Sequence, residues 1–574
     1  MITRRHFAHG ALGAALAGTP GWTLPAIARR PNVVVVMADE WRAQAFGYAG
    51  DSNARTQAID RFAGESLSFE QAVSGCSVCC PARASIMTGQ YPLTNGVYIN
   101  DVPLVPRSVT LGEAFRNAGY QTGYIGKWHL YGSPDGRYGR REAYIPPDKR
   151  FGFDYWKAAE CSHNYDHSLY YEGNDPTAKY WPGYDAAAQT GDACQYIREH
   201  AGAAAPFLLV LSWGPPHFPL HTAPERYQAL YRDREIVLRP NVPADQRAAA
   251  TQELRGYYAH IAALDDCFKQ VLATIDATGV ASDTIVVFTS DHGDMMQSQG
   301  LRYKLYPWEE SLRIPLLIRY PARLGRRARR SAATLSSPDL LPTLLGLCGL
   351  PVPAGIQGTD FSSRVAPAHR PVPTGSAFLS LPVPIGEALH YGFAEYRGVR
   401  TPRYTYVRSI HGPWLLYDNL KDPYQQHNLC GRPGASELQA RLEGELGAWL
   451  EALDDRFLPA RQYLERDRLA HYLETQFPIG RVSSPWGDWE STLQRPPGPL
   501  SSRSASVSEL LSDPAARAIL SRELPQLMRA AAASELLSTQ SLWVIQQFGH
   551  WPIADAKLAA IDRQLATLDK ANVD

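Results

Sequence analysis

The 574-residue chain lacks net charge: 57 Lys plus Arg are matched by 57 Asp plus Glu. Bulk charge therefore favours no polyanion, and nucleic acid is not an expected partner. Attraction for an anionic substrate has to be local. The chain also lacks a long apolar run. The stretch at residues 8–17 is too short and Gly-containing to cross a bilayer, which takes about 20 residues. No membrane span is expected. A disulfide framework is missing too. The eight cysteines are Cys76, Cys79, Cys80, Cys161, Cys194, Cys267, Cys348 and Cys430. Their spacing leaves pairing undetermined. Cys76 and Cys79 would suit a redox or zinc pair, but no second cysteine pair or nearby histidine completes a tetrahedral set.

Gly (45) and Pro (44) are plentiful, which marks many shaped loops. The hydrophobic share of 45% and charged share of 20% are those of an ordinary globular protein. The length suggests about three to four domain-sized units. The N-terminus carries Arg4-Arg5, a short apolar stretch and Ala26-Ile27-Ala28. Residues 1–28 thus look like a twin-arginine export signal; the alternative is a basic tail. The expected location is periplasmic or secreted, where disulfides are permitted.

Three continuous β-branched or apolar runs, at 33–38, 207–211 and 284–288, predict strands buried on both faces of a parallel sheet. Each ends in polar residues: Asp39-Glu40, His217, and Asp291-His292. Helical patterns at 111–118 and 257–275 lie between them, which argues for an α/β sandwich. Ligands bind beyond the C-terminal ends of such strands. The three polar ends are therefore expected to share one site. Residues 131–190 show little periodicity and read as a long insertion over the site mouth. Residues 398–408 alternate like strands, and 435–453 reads as a helix closing a small antiparallel sheet. Expected units are a catalytic domain at 31–390, a subdomain at 391–475, a linker at 476–506 and a helical module at 507–574.

The chemistry concentrates in a few motifs. The first is Cys79-Cys80-Pro81-Ala82-Arg83, followed by Thr88-Gly89. Then come Gly119-Tyr120-Gln121-Thr122 with Gly126-Lys127-Trp128-His129, and Pro216-His217 with Pro219. Lys304 precedes Glu309-Glu310-Ser311, and Arg313-Ile314-Pro315 follows. Their types and order resemble the type I, formylglycine-dependent sulfatases of the alkaline-phosphatase-like superfamily, over about residues 31–453. The resemblance implies an alkaline-phosphatase-like α/β/α sandwich with a mostly parallel central sheet. It also implies a smaller C-terminal α+β subdomain with a four-stranded antiparallel sheet; the helical module lies outside it.

By that resemblance Cys79 is oxidised to formylglycine by a formylglycine-generating enzyme, and its hydrate is the nucleophile. Asp39, Glu40, Asp291 and His292, with the converted Cys79, hold Ca²⁺, or alternatively Mg²⁺ or Mn²⁺. Arg83 and Lys127 position the hydrate, and His129 is the base that collapses the sulfated intermediate. His217 and Lys304 bind sulfate and protonate the leaving oxygen. His163, in the insertion, is a further candidate substrate contact. A plain thiol suits this chemistry poorly, since a reference pKa of about 8.5 leaves only a few per cent thiolate at neutral pH.

Some positions depart from the family pattern. Glu40 stands where many members have Asp, so its longer arm can either shift the metal or leave Glu40 out of contact with it. His292 replaces an Asn and could favour Mn²⁺. Ala82 replaces the Ser of C-x-P-S-R. The expected activity is hydrolysis of a sulfate ester of a sulfated carbohydrate or other sulfated small molecule. Alternatives are an arylsulfatase with small aryl substrates and a phosphonate monoester or phosphodiester hydrolase, whose members often carry an Asp-His pair. A binding protein that has lost catalysis is disfavoured by the presence of Cys79 and Lys127.

Overall fold

The computed structural model describes residues 30–132, 143–362, 375–385, 388, 393–469, 501, 502, 505, 507–532, 542, 553 and 555–570. The expected export signal lies outside these residues, as does nearly all of the linker.

The first expected strand forms as β1, Asn32–Asp39. Its alternate residues divide between two apolar clusters. Val33, Val35 and Met37 enter one, while Val34, Val36 and Ala38 enter the other. A strand with both faces dry has no use for a polar face, which is why the sequence reads as an unbroken apolar run. The large sheet continues with β2 Leu67–Val73, β3 Gln121–Lys127, β4 Tyr155–Ala159, β5 Leu169–Glu172 and β6 Lys179–Tyr180. It is completed by β7 Phe207–Pro216, β8 Thr284–Ser290, β9 Leu316–Arg319 and β10 Arg329–Ser336. The order is β10-β2-β9-β8-β1-β7-β3-β4-β5-β6. The β8-β1-β7-β3-β4 block is parallel throughout; β9 and β5 run antiparallel to their neighbours.

Helices cover both faces. Asp185–His200 and Arg247–Ala277 pack on one cluster. Cys79–Thr88, Leu111–Asn117 and Leu340–Leu347 pack on the other. This is the expected α/β/α sandwich.

The stretch at 131–190 differs from the loop expected of it. Its described residues include β4, β5 and β6, which extend the sheet. These strands are only five, four and two residues long. Runs that short show no clear period against a Tyr- and Gly-rich background.

A separate four-stranded antiparallel sheet, in the order β11-β12-β13-β14, uses Ala377–Leu381, Tyr396–Arg400, Tyr404–Ser409 and Gly412–Asp418. Its first strand lies N-terminal to residue 391, inside the stretch assigned from sequence to the catalytic domain. The helix Ser436–Ala452 packs Leu442, Leu446 and Trp449 against Phe378, Val399 and Tyr406. In the C-terminal stretch, Val507–Ser512, Pro514–Glu523, Pro525–Ala532 and Asp555–Lys570 are helical and share an apolar cluster of their own.

Candidate active site

Four adjacent parallel strands end on one edge of the sheet, and each delivers functional side chains there. Register pairs Ala38 of β1 with Ser290 of β8, and Asp39 with Pro216 of β7. Gly126 of β3 pairs with Ser212 of β7. Asp39 and Glu40, Asp291 and His292, His217, and Lys127 thus converge although they are far apart in the chain. Gly126 is required for this closeness: its φ is +102°, and a Cβ there would lie 2.1 Å from the Ser212 carbonyl oxygen.

Cys79 is the first residue of the helix Cys79–Thr88. Pro81 is tolerated there because first-turn N–H groups have no intrahelical partner. Arg83 is four residues on and shares the face of Cys79. Gly89 ends the helix at φ +63°. This is the structural content of the C-x-P-x-R spacing. Arg83 is fully buried and ties the site together. Its Nε donates to Asp291 Oδ2 at 2.9 Å, and Nη2 to Asp39 Oδ2 at 3.2 Å. Nη1 donates to the Lys127 carbonyl at 3.0 Å and to Ser212 Oγ at 2.8 Å. Lys127 Nζ donates to Asp39 Oδ2 as well. Burial acts to raise the Asp39 carboxyl, but the cations Lys127, Arg83 and Lys304 outweigh it and hold it well below the usual range. Asp39 is an anion.

The Cys79 Sγ lies 3.2 Å from His292 Nε2 and 3.8 Å from Asp39 Oδ1. Burial and then the Asp39 carboxylate push its thiol up to about 11. An unmodified Cys79 is therefore protonated at neutral pH and a poor nucleophile. His292 Nδ1 is 3.0 Å from the Gly293 carbonyl, so it carries the hydrogen and leaves the Nε2 lone pair facing Cys79. Asp39, Cys79, Asp291 and His292 offer ligand atoms all within 4.8 Å of one another. Two carboxylates and an imidazole suit a divalent cation. Glu40 falls in another grouping, with Asp39 and His217. It has φ +67°, and its carboxylate faces His217 Nε2 at 3.2 Å and Lys304 Nζ at 3.3 Å. Burial pushes the Glu40 carboxyl well above its ordinary value.

Lys304 Nζ donates to His217 Nε2 at 2.7 Å, while His217 Nδ1 donates to the Phe218 carbonyl at 2.8 Å. That pattern requires a neutral imidazole. Burial, followed by Lys304, lowers its pKa accordingly. The His163 ring stacks on His217 with centroids 4.5 Å apart and 20° between planes.

Three contributors had little sequence signal. Asp101 Oδ1 lies 3.1 Å from His129 Nε2, with nothing in the run before it to mark it. Ser212, which receives Arg83, was visible only as a lone hydroxyl in an apolar strand. Glu160 lies in a polar stretch of the insertion with nothing to set it apart, and it is fully buried. It accepts the N–H groups of Leu130, Tyr131 and Gly132 at 3.2, 3.1 and 2.6 Å, fixing the turn just after His129. Burial nevertheless pushes its carboxyl up to about 8.

Comparison with known proteins shows the family. Residues 31–350 match the family described as Sulfatase. Residues 299–451 match the one described as N-sulphoglucosamine sulphohydrolase, C-terminal. The chain is 41% identical over 439 residues to an ulvan-active sulfatase of Formosa agariphila, covering 76% of this chain and 84% of that one. It is 30% identical over 481 residues to an endo-4-O-sulfatase of Bacteroides thetaiotaomicron, covering 75% and 93%. A solved structure described with the metabolism of multiple glycosaminoglycans by Bacteroides thetaiotaomicron matches with a TM-score of 0.67 at 29% identity. That match covers 77% of this chain and 100% of the other. A phosphonate monoester hydrolase of Agrobacterium radiobacter shares the fold with a TM-score of 0.58 at 23% identity, covering 75% and 96%. The chain belongs to the sulfatase family, within the alkaline-phosphatase-like superfamily, and is a sulfuric ester hydrolase.

Proposed function

We propose that this enzyme removes sulfate from sulfated polysaccharides or their fragments, after export directed by residues 1–28. It would use formylglycine made from Cys79 by a formylglycine-generating enzyme, and a divalent cation. The observation that carries this reading is the placement of Cys79 among Asp39, Asp291 and His292, with Arg83 and Lys127 behind it. The relatives support the substrate class: one is named for ulvan and one as an endo-4-O-sulfatase.

The residues fit both groups. Asp39, Asp291 and His292 would hold the cation together with position 79; Ca²⁺ is our assignment, with Mg²⁺ or Mn²⁺ as alternatives. Such a cation supplies positive charge to sulfate oxygens and lowers the pKa of a hydroxyl bound to it. Formylglycine supplies a hydrated aldehyde, with one hydroxyl to attack sulfur and a second whose deprotonation expels sulfate.

The chain's own side chains do the rest. Arg83 and Lys127 keep Asp39 ionised and fix its direction. Burial lowers the His129 pKa to about 4, so the ring is neutral at pH 7 and can take a proton. Its Nε2 faces Asp101 while Nδ1 has no hydrogen-bond partner, which makes Nδ1 the accepting atom. Lys304 presents a proton for the leaving oxygen and is aimed by His217. Glu40 is counted with these two rather than as a primary ligand.

The experiment is an assay of purified protein against sulfated oligosaccharides from ulvan and from a glycosaminoglycan, an aryl sulfate and an aryl phosphonate. Peptide mass spectrometry at position 79 accompanies it. We expect turnover of a sulfated oligosaccharide, an aldehyde mass at residue 79, and none of that turnover in Cys79→Ala. Full activity in Cys79→Ala, or phosphonate as the preferred substrate, overturns the reading.

A further inference from the structure

Four rings adjoin in sequence at the edge of the site. His163 stacks on His217 at 4.5 Å, and Phe218 packs against His217 at 4.1 Å and His163 at 5.5 Å. Tyr303 then packs on Phe218 at 4.7 Å. His217 is buried, whereas His163, Phe218 and Tyr303 are each half-buried. The strip therefore starts at His217, which aims the proton donor Lys304, and runs outward toward solvent.

Its backbone is held at His217 and Phe218. Tyr165 is fully buried, and its hydroxyl lies 3.0 Å from the His217 carbonyl and 3.2 Å from those of Gly214 and Phe218. A ring wall fixed in this way loses little entropy when something settles on it.

We propose that His163, Phe218 and Tyr303 form a binding strip for the sugar ring that carries the scissile sulfate. This rests on the glycan reading of the function. The group protonated on leaving is bonded directly to that ring. Whatever borders His217 and Lys304 therefore contacts the ring first. A pyranose offers a face of C–H groups, which suits aromatic faces and edges, with polar rims left for hydrogen bonding.

The alternative occupant of an aromatic wall is a quaternary ammonium group. Charge argues against it here. The Arg302 guanidinium lies 5.1 Å from the Tyr303 ring centroid, and Lys304 Nζ lies 5.9 Å from that of Phe218. Arg302 is partly balanced by Glu253 at 2.6 Å, but a further cation at this wall would still meet two positive groups. A neutral ring borne by an anionic chain meets no such opposition.

The test compares wild type with Phe218→Leu, Tyr303→Leu and Tyr303→Phe, all first checked for an unchanged melting temperature. Substrates are ulvan and glycosaminoglycan oligosaccharides and choline sulfate; the desulfated oligosaccharides serve as product inhibitors. We expect each Leu variant to raise KM for the sulfated oligosaccharide, and Ki for its product, by about 3- to 10-fold. kcat should fall far less than kcat/KM, and Tyr303→Phe should recover most of the loss. Unchanged KM and Ki in folded Leu variants overturn the strip while leaving the glycan reading intact. Equal loss in Tyr303→Phe assigns the effect to a hydroxyl and also overturns it. A wild-type enzyme that turns over choline sulfate but no saccharide removes the glycan reading and the sugar strip together.

Discussion

His129 Nε2 lies 3.1 Å from Asp101 Oδ1, with both side chains buried and both residues at positive φ, +57° and +60°. Two strained, non-glycine backbone positions held face to face mark a contact that the surrounding structure enforces. The carboxylate fixes which imidazole nitrogen carries the hydrogen, and so leaves Nδ1 to act.

The first prediction concerns this pair. Asp101→Asn keeps the size of the side chain but lets the ring take either tautomer. It should lower kcat by about 10- to 100-fold with KM nearly unchanged. Steady-state kinetics with a sulfated oligosaccharide checks this; wild-type kcat in a folded variant would show that Asp101 does not orient His129.

A second prediction concerns Arg83. It bridges Asp39 and Asp291, with all three side chains at zero exposure. Arg83→Met leaves two buried carboxylates facing each other without their shared counter-ion. The expected cost is about 3–5 kcal/mol of stability. Arg83→Lys keeps a charge but loses the fork that reaches both carboxylates, and should be intermediate. Urea unfolding followed by tryptophan fluorescence reads the stability, and elemental analysis after dialysis reads retained metal. Equal stability in all three proteins would refute the bridging role.

A third prediction lies outside the catalytic cluster. His260 Nδ1 is 2.8 Å from Tyr184 Oη, and Nε2 is 3.4 Å from the Pro219 carbonyl, so a neutral ring accepts from one and donates to the other. Burial lowers its pKa to about 3, from 6.5 for an exposed histidine. Below pH 6.5 the unfolded chain binds a proton that the folded chain does not. The contribution is therefore complete above about pH 6.5 and is lost progressively as pH falls toward 3. His260→Gln cannot titrate. Its stability should fall less steeply over that window, by up to about 1.4 kcal/mol per pH unit. Parallel acid limbs in urea unfolding at pH 4–7 would contradict this.

Much of the site was legible in the residues themselves. The apolar runs ending at Asp39, His217 and Asp291 announced parallel strands with polar side chains at their C-terminal ends, and register pairing brings those ends together. The C-x-P-x-R run specified Cys79 and Arg83 through a single helical turn. The insertion was harder to read, because strands of two to five residues leave no measurable period. Glu160 is unreadable for a related reason: polarity alone does not tell a solvent-facing carboxylate from one folded back onto three N–H groups.

Chain-local chemistry thus belonged to the sequence: which residues form strands dry on both faces, which start a helix, and which can serve as ligand, acid or base. Side-chain periodicity and short spacings are set within one element, so they survive in one dimension. The tertiary structure alone decided the partners. It joined Asp101 to His129 and Ser212 to Arg83, turned Glu40 toward His217 and Lys304, and set Phe218 beside Tyr303. Those pairs form across long connections, whose closure cost grows only slowly with length. Strand order and packing choose among them, and no local pattern records that choice.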